Sequence, residues 1–195
     1  MTDEQSALPD SNLVELTSLI SDVHLDLRYA TVDNFMKRVM YPSARAFLVR
    51  EAADALRTAN DEFRAAGLGI VVWDAYRPFS VTRQFWDQTR KDLRVFVADP
   101  AKGSVHNRGC AVDITLRELS SGKYLTMPTD FDEFTHRAFM EFVPDDPQVS
   151  AHRELLVRIM SNNGFDVNPR EWWHFNLRGN DRYPVLDVPF AEITS

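Results

Sequence analysis

Apolar and polar residues alternate strictly through Val23-His24-Leu25-Asp26-Leu27-Arg28-Tyr29. A period of two is the signature of a half-buried strand, here with His24, Asp26 and Arg28 on its outer face. From Ser43 to Ala66 the spacing changes: Leu48, Ala52, Ala55, Leu56, Ala59 and Phe63 mark steps of three and four. This predicts a long amphipathic helix, opened by Pro42-Ser43 and stopped by Gly67. Gly69-Ile70-Val71-Val72-Trp73 is short, apolar and β-branched, hence a buried strand. It delivers Asp74, Tyr76 and Arg77 at its end, where Pro78 turns the chain. Ser80 to Arg90 reads as a second helix, and the stretch after it has room for a short strand around Val95–Val97.

Pro100 to Gly109 is a loop, and Ala111 to Leu116 a strand. Ser121-Gly122 offers a turn into Tyr124-Leu125-Thr126-Met127, which predicts an antiparallel hairpin. Phe131 to Pro147 is mixed and acidic, broken by Pro144 and Pro147. Leu155, Leu156, Ile159 and Met160 mark another helix between Val149 and Asn163, closed by Gly164. The aromatic run Pro169-Arg170-Glu171-Trp172-Trp173-His174-Phe175 is the last strand, and Pro184 and Pro189 keep the tail irregular. Residues 1–12 are polar and read as a loose lead-in. Helices and strands interleave around a hairpin, so the expected fold is α+β, one compact domain spanning 1–195 with a largely antiparallel sheet packed by helices.

Composition narrows the partners. The net charge is −7 with no Lys/Arg cluster, which argues against nucleic acid and anionic membranes. Cys110 is the one cysteine, so no intrachain disulfide forms. The first 27 residues carry no Lys or Arg and no apolar core of signal-peptide length. No run approaches the ~18–20 apolar residues of a membrane span. The expected compartment is therefore cytoplasmic.

The chemistry gathers in three places. In Ser104-Val105-His106-Asn107-Arg108-Gly109-Cys110-Ala111-Val112-Asp113, a loop histidine precedes an aspartate set in an apolar strand. Such an aspartate is costly unless paired or bound to a metal. His106, Asp113 and His174 together offer two imidazoles and a carboxylate, the composition of a catalytic zinc site with a position left for water. Glu171 is then the natural general base for the zinc-bound water. In a regular strand, residues i and i+3 face opposite sides. Glu171 and His174 can thus share a site only if the strand begins at or after Trp172, with Glu171 on the incoming turn. Arg77, a permanent cation with forked donors, suits a developing oxyanion, held by Asp74 or Tyr76. Trp172 and Trp173 read as core and cavity wall.

Ser-x-His-x-x-Gly-x-Ala-x-Asp, followed by Glu-x-Trp-His and preceded by Asp-x-Tyr-Arg-Pro, resembles the zinc D-alanyl-D-alanine dipeptidases of the vancomycin-resistance type, within the D-Ala-D-Ala metallopeptidases. The resemblance runs from about Leu27 to Pro189 and includes Arg28 to Phe35 and Phe131-Asp132-Glu133. It implies one Zn²⁺ per chain on His106, Asp113 and His174, with Glu171 as acid/base and Arg77 stabilising the transition state. It further implies that Ser104 and Asp132 contact a small dipeptide, the carboxylate meeting its ammonium, and that Tyr29 walls the pocket. A compact α+β domain with a closed cavity is the family's fold. The segment between Arg90 and Gly103 is short compared with some members, so the lid is expected to differ. Three other readings stand beside this one: a D,D- or L,D-carboxypeptidase on peptidoglycan stems, a hydrolase using Cys110 with His106, and a non-catalytic module that keeps the zinc fold.

Overall fold

A computed structural model describes residues 12–20 and 22–194, so the loose lead-in expected over residues 1–12 lies, apart from Asn12, outside the described residues. In chain order the elements are β1 (Leu13–Glu15), α1 (Leu16–Leu19), β2 (His24–Leu25), β3 (Phe47–Val49), α2 (Arg50–Ala65), β4 (Leu68–Asp74), α3 (Phe79–Gln88), β5 (Ala111–Glu118), α4 (Pro147–Asn162), β6 (Phe165–Asn168) and β7 (Glu171–Leu177). Five strands form one sheet in the order β2-β4-β5-β7-β6, and β1 pairs separately with β3. Only β2 runs parallel to its neighbour; the other pairings in that sheet are antiparallel. The fold is α+β with a mixed, mostly antiparallel sheet, as the sequence predicts. None of the described helices is long and apolar enough to cross a membrane.

α2 buries Ala52, Leu56, Ala59 and Phe63 of the stripe that the sequence spacing marks, with Ala53 added to it and Ala55 left half-buried. It packs on β4, while α4 packs on β6 and against α2. Gly67 ends α2 at φ +76°, a left-handed conformation that an L side chain would strain, and its amide closes onto Arg64. The expected start at Ser43 is too early. Phe47-Leu48-Val49 is fully buried and pairs with β1, so aromatic and β-branched packing overrides the helical spacing there.

Other boundaries move for similar local reasons. The alternating stretch from Val23 is a strand only at His24–Leu25, because Arg28–Ala30 closes into a 3-10 turn. Lys91–Phe96 is also 3-10 rather than a strand around Val95. Pro147 does not break a helix but begins one: it sits at the first turn of α4, whose cap Asp146 accepts from the Gln148 amide at 2.8 Å. The predicted hairpin shrinks to a single bridge, Arg117 with Tyr124, and β5 finds its real partners in β4 and β7.

Two register faults shape the site. Between Val72 and Asp74, β4 carries one extra residue relative to β5. Asp74 then stands opposite Asp113, and Asp113 stands opposite His174 on β7. Directly paired residues project to the same face. Three adjacent strands thereby carry Asp74, Asp113 and His174 in one row. The second fault lies in β7: Val167 pairs with Phe175 and Asn168 with Glu171, leaving three extra residues on the β7 side. β7 already begins at Glu171, one residue earlier than expected. The interruption of period that Glu171 and His174 require takes the form of this bulge inside the strand.

Candidate active site

His106 sits in the 3-10 turn Val105–Arg108 just ahead of β5. Ser104 caps that turn, its hydroxyl accepting from the His106 amide at 3.3 Å, and Asn107 returns the bond by accepting from the Ser104 amide at 2.8 Å. Gly109 leaves the turn at φ +65°; a Cβ there would lie 2.6 Å from Leu13 Cδ2 and 3.2 Å from the Val49 amide. His106, Asp113 and His174 are 2%, 3% and 8% exposed. His106 Nε2 lies 3.1 Å from His174 Nδ1 and 3.4 Å from Asp113 Oδ2, and His174 Nδ1 lies 3.0 Å from Asp113 Oδ1.

The hydrogen bonds behind these atoms decide what they are. His106 Nδ1 lies 2.6 Å from the Ala75 carbonyl, which can only accept, so Nδ1 carries the proton and Nε2 presents a lone pair. His174 Nε2 faces Asn176 Oδ1 at 2.8 Å, which likewise leaves Nδ1 as a lone pair. Two lone pairs and a carboxylate therefore converge, and with His174 Nδ1 unprotonated Asp113 Oδ1 has no hydrogen-bond donor among the described residues despite its burial. Donors around a tetrahedral ion with bonds of ~2.0–2.1 Å stand roughly 3.3 Å apart. The three side chains are thus spaced and oriented for a metal ion, each imidazole fixed from behind by an acceptor. Without a metal, a proton serves instead. Burial works to lower the His174 imidazole, yet its bond to Asp113 and that carboxylate's charge lift it to about 9. Burial likewise works to raise Asp113, but the two imidazoles hold it below the usual carboxylate range.

A cavity of about 450 Å³ opens over this cluster, and its lining includes Tyr29, Arg77, Ser104, His106, Asp113, Asp132, Glu171 and His174, the residues to which the resemblance assigns metal, catalytic or substrate roles. Glu171 Oε2 lies 3.8 Å from His174 Nδ1. Burial raises the Glu171 carboxyl, with His174 opposing. Arg77 is buried, and Asp74 Oδ2 accepts from its Nε at 3.1 Å and its Nη2 at 2.6 Å. Asp74 Oδ1 is held in turn by the Tyr41 hydroxyl at 2.6 Å and the Ala75 amide at 2.9 Å. Of the two candidates for holding the fork, Asp74 does so, while the Tyr76 hydroxyl is occupied by the backbone of Val188. The guanidinium also lies over the rings of Phe85 and Tyr29.

Asp132 accepts from the Tyr29 hydroxyl at 2.7 Å and adopts φ +55°, a strained conformation for a non-glycine residue. Its carboxylate touches the cavity yet lies deep among protein atoms, and burial pushes its pKa well up against the pull of the Tyr29 bond. Of the tryptophans, only Trp173 forms wall. Trp172 points into the core and donates to Thr129 Oγ1 at 2.8 Å. Cys110 is fully buried, outside the cavity lining, and its thiol is pushed up to about 12 by burial, which leaves no thiolate for a cysteine hydrolase. The roof includes Val95, Phe96, Val97 and Ala98, with Phe96 stacked on Phe134 at 5.0 Å.

Four partners escaped sequence reasoning: the Ala75 carbonyl, Asn107, Asn168 and Asn176. Asn107 ties the His106 turn to the Arg77 segment by donating to the Arg77 carbonyl and Thr82 Oγ1, each at 2.8 Å. Asn176 had one legible signal, its place two residues beyond His174 on the same strand face. The others depend on register and loop closure.

Two buried imidazoles and a carboxylate around one point, with a further carboxylate beside them in a cavity, have the composition of a metal-dependent hydrolase site. The family description "D-ala-D-ala dipeptidase" matches residues 10–194, and the chain belongs to that peptidase family. Relatives agree with this. The D-alanyl-D-alanine dipeptidase of Escherichia coli (strain K12) is 35% identical over 181 residues, covering 93% of this chain and 92% of its own. The Enterococcus faecium D-alanyl-D-alanine dipeptidase is 31% identical over 200 residues, covering 89% and 96%. Among solved structures, the LdcB LD-carboxypeptidase aligns at 21% identity with a TM-score of 0.47, covering 90% of this chain and 71% of its own.

Proposed function

We propose that the protein hydrolyses D-alanyl-D-alanine, or a closely similar D,D-dipeptide, with one zinc ion held by His106, Asp113 and His174. The observation that carries this reading is the convergence of three donor atoms, all within 4.8 Å of one another, beside Glu171 in a cavity that also presents Arg77 and Asp132. The zinc, when bound, polarises the scissile carbonyl and brings the pKa of its water to ~7.

The protein's own groups do the remaining work. Glu171, buried and adjacent to His174, takes the proton of the attacking water and returns it to the departing amine. Arg77 donates to the oxygen on which negative charge develops, its fork held in advance by Asp74. Asp132, held by the Tyr29 hydroxyl, receives the substrate's ammonium, Tyr29 walls the pocket, and Ser104 contacts the dipeptide. A cavity of about 450 Å³ lies toward the small end of the ~300–1,000 Å³ range of small-molecule sites, in keeping with a dipeptide. An ammonium site at the end of such a cavity rejects longer peptides, because an internal peptide nitrogen carries no charge to pair with Asp132. Turnover of free D-Ala-D-Ala and of a stem pentapeptide by zinc-loaded protein tests this. Cleavage of the dipeptide alone is expected; cleavage of the pentapeptide alone would make the protein a carboxypeptidase, and cleavage of neither would leave a binding module.

A further inference from the structure

The turn between β6 and β7 is built on one amide side chain. Asn168 Oδ1 accepts from the Arg170 backbone amide at 3.0 Å, and Asn168 Nδ2 donates to Glu171 Oε2 at 2.7 Å. The first bond fixes the assignment of the second: a backbone N–H can only donate, so the amide oxygen faces Arg170 and its NH₂ must face Glu171. Asn168 lines the cavity and stands at the register fault opposite Glu171. The same side chain therefore sets the turn and the direction in which the carboxylate points.

We propose that Asn168 is a positioning residue for the general base: it holds Glu171 Oε2 as a hydrogen-bond acceptor and leaves Oε1 as the oxygen that takes the proton. This rests on the reading of Glu171 as general base. Oε2 already accepts from Asn168 and faces His174 Nδ1 at 3.8 Å, so a proton placed there would weaken that oxygen as an acceptor for the amide. Among the described residues, no hydrogen-bond donor holds Oε1. The proton then moves from water to Oε1 and on to the amine, while the Oε2 bond to Asn168 stays intact throughout. The bond also keeps the carboxylate from rotating, and misplacing a reacting group by an ångström costs on the order of 10²-fold in rate.

Asn168→Asp and Asn168→Ser separate this role from a purely structural one. Both keep an oxygen that can accept from the Arg170 amide and hold the turn; ionised Asp has no proton to donate to Glu171 and sets a like charge beside it, while the Ser hydroxyl, on a shorter stem, does not reach Glu171 as the amide does. Kinetics on D-Ala-D-Ala, with bound zinc and thermal midpoint measured on the same samples, should show kcat down roughly 10- to 100-fold, KM within about threefold, and zinc content unchanged. Wild-type kcat in both variants would reduce Asn168 to a turn residue and overturn the proposal. A fall in kcat that merely tracks lost zinc would overturn it equally. An inactive wild type would instead refute the dipeptidase reading itself.

Discussion

Replacing Arg77 by lysine keeps a positive charge in the cavity and removes the fork, so it separates charge from preorganised donation. In the native protein Asp74 Oδ2 takes two bonds from Arg77, at 3.1 and 2.6 Å. An ammonium on a flexible stem can replace one of them, and a lost hydrogen bond to a charged group costs ~1.5–3 kcal/mol. Asp74 is not orphaned, because Tyr41 and the Ala75 amide still serve Oδ1. Arg77→Lys should therefore fold, with stability lower by about 1.5–3 kcal/mol in urea denaturation of the zinc-loaded protein. The catalytic loss is separate: removing one preorganised oxyanion donor costs ~2.7–4 kcal/mol in the transition state, or about 10²–10³ in kcat. Because that contact forms only as charge develops, KM for D-Ala-D-Ala should change little. Steady-state release of D-alanine gives both constants. A folded, zinc-loaded variant with kcat within tenfold of wild type would refute the assignment of Arg77 to the oxyanion and leave it as a buried ion pair.

Glu171→Gln should retain zinc, since Glu171 is not among the three converging donors, and lose ~10²–10⁴ in kcat; full activity would remove the general base from the account. Apparent zinc affinity should rise with pH up to about 9. The His174 imidazole, lifted to about 9 in the metal-free protein, must give up its proton to bind. Competition with a chelator should show roughly one decade per pH unit below that value, and a flat profile would contradict it. The same shift makes the metal-free protein lose stability as pH climbs from the ordinary histidine range through about 9, because the folded state holds the proton that the unfolded chain has released. Gly109→Ala should lower the thermal midpoint sharply. It sets a side chain at φ +65° and drives its Cβ to 2.6 Å from Leu13, where strain of about 1–3 kcal/mol is expected from the backbone alone.

The His106–Asp113–His174 cluster was legible because its residues are out of place. Asp113 interrupts an apolar strand, and His174 sits among aromatics, so their chemistry needs a partner wherever the chain goes. The row that joins them was not legible, since it depends on which strands pair and in what register. β6 went unseen because it is four residues long and buries only Phe165 fully, too little pattern to mark a strand. β3 hid inside a helical spacing because Leu48 falls four residues before Ala52, in phase with α2. Likewise Asn168, Asn107 and the Ala75 carbonyl act through individual hydrogen bonds that form as the chain folds, and no periodicity announces such bonds. The relation of Glu171 to His174 was half legible: strand period demands an interruption between them, and the structure supplies it as a three-residue bulge rather than a late strand start.

Most direct is a titration of chelator-stripped protein with zinc while D-Ala-D-Ala hydrolysis is followed, alongside His106→Ala and Asp113→Ala. Activity should rise linearly from near zero, break at one equivalent per chain, and fail to appear in either variant. Hydrolysis that survives chelation, or that climbs past one equivalent to a second break, would contradict a single catalytic zinc on His106, Asp113 and His174.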